Sequence, residues 1–445
     1  HFSFFCAQLI TMKMKIKSLL ALFVATTVFS SAATAQEYLD CAVMSDIHIM
    51  SPSLLRTESK AFDRYIAHDR KLLRQGPLLL RTAIQQLLQQ PQRPKVVLIP
   101  GDLTKDGELL SHRLVADTLL KPLREAGIKV YVVPGNHDVN NPHAVCFSPD
   151  STCRTATVTA EDFAHIYRDY GYDEAIAHDS YSLSYVVQLS DSLRLIAIDA
   201  CRYQDNDFER NICVTGGSIQ PQTLAFIEQQ ALAARKDNCK LIGMMHHGLV
   251  SHWKWQDRVM GDYLVKDWKR HAKAFARMGI HIVFTGHFHA QDIASYGRGK
   301  RQVYDIETGS TVSYPMPVRY VRLNTDRIDI HTRLLCQSDM LPDAKQLEAE
   351  AIRYARAGVS TIVAEMLPDK VPAAVQKQAS DTFSEAYVAH LAGDETMPEH
   401  YLDALKEACR RLRPYSWKYA FALKRIGRYM FTDRTPDDNR VTLHF

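Results

Sequence analysis

Lys129-Val130-Tyr131-Val132-Val133-Pro134-Gly135-Asn136-His137-Asp138 is a short apolar run that stops at proline and glycine and then presents three polar side chains in succession. A β-branched and aromatic run of this length, closed by turn residues, predicts a buried strand. The polar triplet therefore lies at the strand's carboxyl end, where an α/β sheet opens into a crevice for ligands. The same arrangement recurs four times along the chain. Residues 39–45 lead into Asp46-Ile47-His48, 95–99 into Gly101-Asp102, 240–245 into His246-His247, and 280–284 into Gly286-His287-Phe288-His289. Five strands thus bring Asp, Asn and His to one rim.

Apolar residues three and four apart predict helices over 77–90, 108–126, 221–235 and 262–278. Strands alternating with helices build an α/β layered fold. Further strand signals over 181–189, 193–198, 302–307, 320–323 and 327–332 come largely without intervening helices, which points to a mixed sheet or two packed sheets. After residue 335 the strand signals stop and helices are expected over 344–357, 374–391 and 399–412. Leu402, Leu405, Cys409 and Leu412 share one face of the last, which needs a partner to cover it. No internal repeat or low-complexity tract is evident.

The 445 residues are 46% apolar and 23% charged, as in a globular enzyme and unlike a disordered chain. Lysines 13, 15 and 17, the apolar run 19–29 and the small-residue site Ala33-Thr34-Ala35 read as an export signal. The apolar run is shorter than the roughly 20 residues that span a bilayer. Residues 1–35 are therefore expected to be upstream sequence and a cleaved leader, and the mature chain to be periplasmic or extracellular with no membrane span. Removing three lysines takes the formal charge from +4 to +1 (4 − 3), which gives no general attraction to nucleic acid. Two further units follow, a catalytic one over 36–335 and a helical one over 336–445. The oligomeric state is left open.

Of nine cysteines, eight lie beyond residue 35, and an oxidising compartment would permit them to pair. Cys146 with Cys153 and Cys201 with Cys213 are the expected bridges, because both pairs flank polar, turn-rich segments. Cys41 and Cys239 sit in strand-like runs and are expected to be buried free thiols. With no CxxC, neither a thiolate zinc site nor a thioredoxin-type site is supported.

Taken singly, an Asp or Asn beside glycine after a strand is an ordinary turn former. Together the rim offers two Asp, one Asn and four His: Asp46, Asp102, Asn136, His48, His246, His287 and His289. Carboxylate oxygens and imidazole nitrogens in that number can hold two divalent cations, which can share one carboxylate and one hydroxide.

In order and spacing these motifs resemble the pattern of the calcineurin-like metallophosphoesterase superfamily: DxH, GD, GNH with an acid, a single H, then GHxH. The resemblance covers about residues 38–335 and implies a four-layer α/β/β/α sandwich with mixed sheets, here followed by a C-terminal helical region. It implies a first metal on Asp46, His48 and His289, a second on Asn136, His246 and His287, and Asp102 between them. The ions would be Fe or Mn, with Zn as an alternative. His137 would donate toward the leaving group, and Asp138 would orient it. Where the family has His, another residue and Pro, this chain has His246-His247-Gly248, which leaves His247 as the alternative ligand and the loop shape open.

The stretch 51–75, the run 134–142 and the helical C-terminus are similar to a secreted bacterial subgroup that includes a cyclic-nucleotide phosphodiesterase. The expectation is therefore a phosphodiesterase acting on a small nucleotide-like phosphoester. A secreted phosphomonoesterase is the alternative within enzymes, and a metal-free binding or scaffold protein the alternative outside them. His252, with Trp253, Lys254 and Trp255, either reaches over the site to a base and a phosphate or forms an exposed loop on the helical region. Arg202 and Tyr203 are similar substrate candidates. His68, His112, His143, His165, His178 and His271 default to surface positions. The basic tract from Arg410 to Arg428 reads as the charged face of an amphipathic helix, with polyanion or lipid binding as its alternative.

Overall fold

The computed structural model describes residues 38–56, 58–432 and 435–445, so the leader expected over 1–35 lies outside the described residues. Two mixed sheets organise the molecule. The first holds β1 (Leu39–Val43), β2 (Val96–Ile99) and β3 (Lys129–Val132) in parallel; β13 (Pro317–Leu323), β14 (Arg327–Leu334) and β15 (Arg440–His444) continue it antiparallel beyond β1. The second runs in the order β11 (Asp292–Tyr296), β12 (Val303–Glu307), β10 (Ile282–Thr285), β9 (Lys240–Met245), β8 (Leu193–Ile198), β7 (Tyr185–Ser190) and β6 (Ala177–His178). Its strands β8, β9, β10 and β12 are parallel.

Alternation along these strands produces the layering. Leu195, Ala197, Ile242, Met244, Ile282 and Phe284 enter the core shared with the first sheet. Their neighbours Ile196, Ile198, Leu241, Met245 and Val283 face the other way, against Ile227 and Ala231 of helix Pro221–Lys236 and Phe275 of helix Trp268–Met278. Helix Gly76–Leu88 covers the first sheet through Leu79, Leu80, Ala83, Ile84 and Leu87. Each large apolar side chain so buried is worth about 1.5–3 kcal/mol. The result is a helix, sheet, sheet, helix sandwich.

Three elements differ from expectation. The single helix expected over 108–126 is broken into Leu109–Leu114, a π-helical turn Val115–Leu119 and Lys121–Glu125, because Pro122 cannot donate into a continuous ladder. The tail beyond 335 has four helices, Ala344–Met366, Ala373–Ala392, Tyr401–Leu412 and Trp417–Tyr429, and then returns as β15. The region is therefore not helical throughout, and residues Leu39–Phe445 form one compact unit. On helix Tyr401–Leu412 the buried face is Tyr401, Leu405, Ala408 and Leu412, with Leu402 exposed. Among the described residues no helix is long and apolar enough to cross a membrane.

Cys146 and Cys153 are disulfide-bonded across a hairpin of β4 (Val145–Phe147) and β5 (Thr152–Arg154). Cys201 and Cys213 are not bridged. Each thiol instead donates to a carbonyl of the turn after β3, Cys201 to Pro134 (3.3 Å) and Cys213 to Asn136 (3.5 Å). Cys41 and Cys239 are buried free thiols.

Candidate metal centre

The strand-end motifs leave their sheets through backbone that side chains rarely adopt. Asp46 (φ 50°), His48 (39°), Asp102 (50°), His287 (77°) and His289 (68°) are all left-handed. That conformation costs of order 1–3 kcal/mol per residue and persists only where the surroundings over-determine it. Interlocked loops do so here. Asp46 N–H donates to the Gly101 carbonyl (3.2 Å), His48 N–H to the Asp102 carbonyl (3.0 Å), and His287 N–H to the Asp46 carboxylate (3.1 Å). Gly135 and Gly286 are required by proximity: a methyl carbon at Gly135 would run into the Asp102 carboxylate, and one at Gly286 into that of Asp46.

Two buried groups of donors result, Asp46, His48, Asp102 and His289 in one and Asp102, His246 and His287 in the other. Asp102 belongs to both. His48 Nε2 lies 3.2 Å from His289 Nε2 and 3.5 Å from Asp102 Oδ2, and His289 Nε2 is 3.3 Å from Asp46 Oδ1. His246 Nε2 is 3.3 Å from Asp102 Oδ2 and 3.1 Å from Asn136 Oδ1. The other ring nitrogens are occupied: His48 Nδ1–H donates to the Thr104 carbonyl (3.3 Å) and His246 Nδ1–H to that of Pro100 (2.8 Å). Such outer bonds fix the tautomer and turn the Nε2 lone pairs inward, as metal ligands require. Burial holds His48 and His287 well below the ordinary pKa and keeps them neutral. Facing imidazole lone pairs ringed by carboxylates suit bound cations, and the donor set fits two of them.

His246 rather than His247 faces Asp102. His247 turns to the other side of the chain, its Nε2–H donating to the Thr215 carbonyl (2.9 Å), and burial pushes its pKa down to about 3.

His137 sits beside this centre, its ring 5.0 Å from that of His48 and a quarter exposed. Its orienting partner is Asp106, not the expected Asp138: Nδ1 lies 2.8 Å from Asp106 Oδ1. Asp138 accepts instead from the backbone N–H groups of Leu103 (3.0 Å), Thr104 (2.9 Å) and Gly135 (2.8 Å), clamping the Asp102 turn to the Asn136 turn. A carboxylate bonded to that many backbone donors cannot also swing to the ring. Burial, then the Asp102 charge, pushes the Asp138 pKa up to about 7.

Burial disfavours charge on His137, but the Asp102 charge and the Asp106 hydrogen bond outweigh it and raise its pKa above 6.5. Asp106 is buried too, and Lys105 and His137 hold its carboxyl well below the usual range. Lys105 pairs with both Asp106 and Glu108 (3.1 Å to the latter), and Tyr65 O–H donates to Asp106 (3.3 Å). The signal for these residues was the charged run Lys105-Asp106-Gly107-Glu108 just past a strand-end motif, which reads locally as a turn.

The three substrate candidates are engaged by other protein groups. His252 is 2% exposed and enclosed by Asp292, Asp305 and Glu307, so it is neither a surface residue nor a lining of the centre. Tyr203 is buried with its O–H donated to Asp199 (3.0 Å), and half-buried Arg202 pairs with Asp205 (2.7 Å). Two of the presumed surface histidines are buried. His112 supports the site from below, its Nε2–H donating to the Asp138 carbonyl (2.8 Å), and burial lowers its pKa to about 4; His271 packs in its helix. His165 and His178 are exposed, His143 is half-buried, and the side chain of His68 lies outside the described residues.

Residues 40–291 match the profile of the calcineurin-like phosphoesterase family, over more than half of the chain. The chain belongs to that family. No curated protein matches the whole sequence closely enough to be a relative. Several solved structures resemble the calcineurin-like chain at a distance, among them the following three. A dimetal phosphatase from Danio rerio is 13% identical with a TM-score of 0.45, covering 67% of this chain and 96% of its own. A conserved uncharacterised protein of Streptococcus pneumoniae, named as a phosphoesterase, is 12% identical with a TM-score of 0.26 over 68% and 92%. Vacuolar Protein Sorting 29 from Cryptosporidium parvum is 12% identical with a TM-score of 0.25 over 68% and 93%. At those scores the likenesses carry no argument, and the family assignment stands on the sequence profile.

Proposed function

We propose that this calcineurin-like chain is an exported, two-metal phosphodiesterase acting on small nucleotide-like phosphoesters. The observation that carries the hydrolase reading is Asp102, one buried carboxylate common to two donor groups. Asp46, His48 and His289 would hold one ion, Asn136, His246 and His287 the other, and Asp102 both. Two such cations would neutralise phosphoryl charge and acidify a water. The chain's own residues supply the rest. His137, whose pKa Asp102 and Asp106 raise against the cost of burial, presents its free edge to the leaving group, to which it gives a proton. Asp106 fixes the ring through Nδ1, so the proton to be given is on Nε2. The buried walls exclude bulk water and strengthen each of these interactions.

Export is supported by the leader pattern over residues 13–35, and the diester preference by the similarity to the secreted subgroup. The experiment is a titration of metal-stripped protein with Mn²⁺, Fe²⁺ and Zn²⁺, following bis(p-nitrophenyl) phosphate and p-nitrophenyl phosphate. Turnover that rises to saturation at two metals per chain and favours the diester is the expected result. Preference for the monoester replaces the diesterase reading, metal-independent turnover removes the two-metal reading, and absent turnover removes the hydrolase reading.

A further inference from the structure

The last helix, Trp417–Tyr429, packs with its small side chains inward and its large ones outward. Ser416 caps it, the hydroxyl accepting from Tyr419 N–H (3.4 Å). Its buried positions are Ala420 and Gly427, and a methyl carbon at Gly427 would run into the Tyr401 hydroxyl of the neighbouring helix. Its exposed positions are Trp417, Lys418, Phe421, Lys424, Arg425 and Arg428, which fall on one face at helical spacing. A helix that serves only to close a core turns its large apolar residues to that core. Here Trp417 is 65% and Phe421 46% exposed, so a large apolar surface is left to water.

The charges around that surface decide what covers it. From Ala408 to Thr432 the chain carries seven cationic side chains and no carboxylate. Among the described residues no carboxylate comes within ion-pair distance of Lys418, Lys424, Arg425 or Arg428. Arg425 instead lies over Phe421 (5.2 Å to the ring centre) and donates to the Tyr429 hydroxyl (3.2 Å). The loop after β9 widens the face with the same chemistry. The Trp255 ring lies 5.9 Å from Phe421 and 5.7 Å from Tyr429, with exposed Lys254 over Tyr429 (5.3 Å) and exposed Arg258 over Trp255 (5.7 Å). Asp257, between these cations in sequence, is paired with Lys269 (3.5 Å). Beside the helix, Val259, Met260, Met366, Leu423 and Ile426 line a cleft whose other walls are apolar apart from the Tyr419 hydroxyl. A surface that is cationic and aromatic at once matches an anionic bilayer, whose headgroups take the charges and whose acyl boundary takes the rings and the cleft. A second copy of the chain would present the same charge and be repelled. A nucleic acid would use the cations and the rings but leave Val259 and Met366 in water.

We infer that the outer face of helix Trp417–Tyr429, with Trp255 and its flanking cations, is a docking surface for an anionic lipid bilayer, on which the protein lies without spanning it. This goes beyond the hydrolase reading and does not depend on it. The same helical region also reaches the metal centre. Tyr387, on helix Ala373–Ala392, accepts from Arg70 (2.8 Å), which also donates to Tyr263 O–H (3.4 Å), whose ring lies 4.8 Å from that of His287. The C-terminal helices thus wall the centre as well as carrying the docking face.

The test uses the chain from Gln36 onward, because the leader pattern would bind lipid by itself and Leu39–Phe445 form one compact unit. Co-sedimentation with vesicles of phosphatidylglycerol and phosphatidylcholine in equal parts is compared with phosphatidylcholine alone and with binding of a single-stranded oligothymidylate. The expected result is binding to the anionic vesicles only, weakening as salt rises. Each cation near the surface multiplies the partition about fivefold, so Lys418→Gln, Lys424→Gln, Arg425→Gln and Arg428→Gln together should weaken it at least about 100-fold at low salt. Trp417→Ala with Phe421→Ala should weaken it about tenfold, at low and high salt alike. All six side chains are exposed, so melting curves should not move, and Trp417→Ala alone keeps the test open if a multiple variant fails to fold. No binding to the anionic vesicles, or binding that neither variant weakens, overturns the proposal. An effect of the glutamine variant alone makes the face a plain cationic patch and overturns it too. Oligothymidylate binding without vesicle binding gives the face to single-stranded nucleic acid instead.

Discussion

The His137 imidazole is hydrogen-bonded through Nδ1 to Asp106, itself locked by Lys105 and Tyr65. Asp106→Asn keeps an acceptor in the same place but removes the charge that raises the ring's pKa. The expected outcome is a kcat lower by about 10–100-fold with two metals still bound. The alkaline limb of the kcat profile, where His137 loses its proton, should move to lower pH, because the folded pKa falls when an anion is removed. Metal analysis beside a pH profile checks this, and metal loss in step with activity would show that Asp106 serves the metal centre instead. At this scale the ligating Asp, Asn and His were legible because each directly follows an apolar strand. Asp106 was not, since a Lys-Asp-Gly turn looks like solvated surface until folding puts it beside His137.

Between elements, the loop after β9 is held to β11 and β12 by His252. Its Nδ1 lies 2.7 Å from Asp292, and its Nε2 3.3 Å from Asp305 and 3.4 Å from Glu307. His390, on helix Ala373–Ala392, approaches Asp292 from the other side (3.6 Å). Burial opposes charge on His252, but three carboxylates raise its pKa well above 6.5. A raised folded pKa means stability that is fully present below about pH 6.5 and is lost as pH rises through the folded value. His252→Gln should therefore cost about 3–5 kcal/mol at neutral pH, the penalty for breaking a buried ion pair, and the gap from wild type should close on the alkaline side. Urea midpoints at pH 6, 8 and 10 measure it; a gap that does not change with pH would mean His252 acts by packing alone. The Trp-rich sequence around His252 suggested a ligand-binding loop because aromatic and basic residues adjoin a metal motif. What it lacked was any trace of Asp292, Asp305 and Glu307, which come from strands 40 and more residues away.

Across the whole molecule, the chain closes on itself through its last ten residues. Besides the β14–β15 pairing, Asp438 accepts from Ile293 N–H (2.6 Å) and Asp394 N–H (2.8 Å), and its carbonyl accepts from the fully buried Arg319 (2.5 Å). Deleting residues 436–445 should leave these donors without partners in the interior and lower Tm by at least about 5 °C. An unchanged melting curve would show that β15 is an ornament of the edge. By itself, the sequence determined the α/β class, the five strand-end motifs and hence the family, because strand period and turn chemistry are local properties carried by a few consecutive residues. Only the tertiary structure decided which imidazole pairs with which carboxylate, that Cys201 and Cys213 stay apart, and that the C-terminal helices wall the site. His48 and His289 meet across 241 residues and Arg70 meets Tyr387 across 317, and no local pattern records contacts made over such distances.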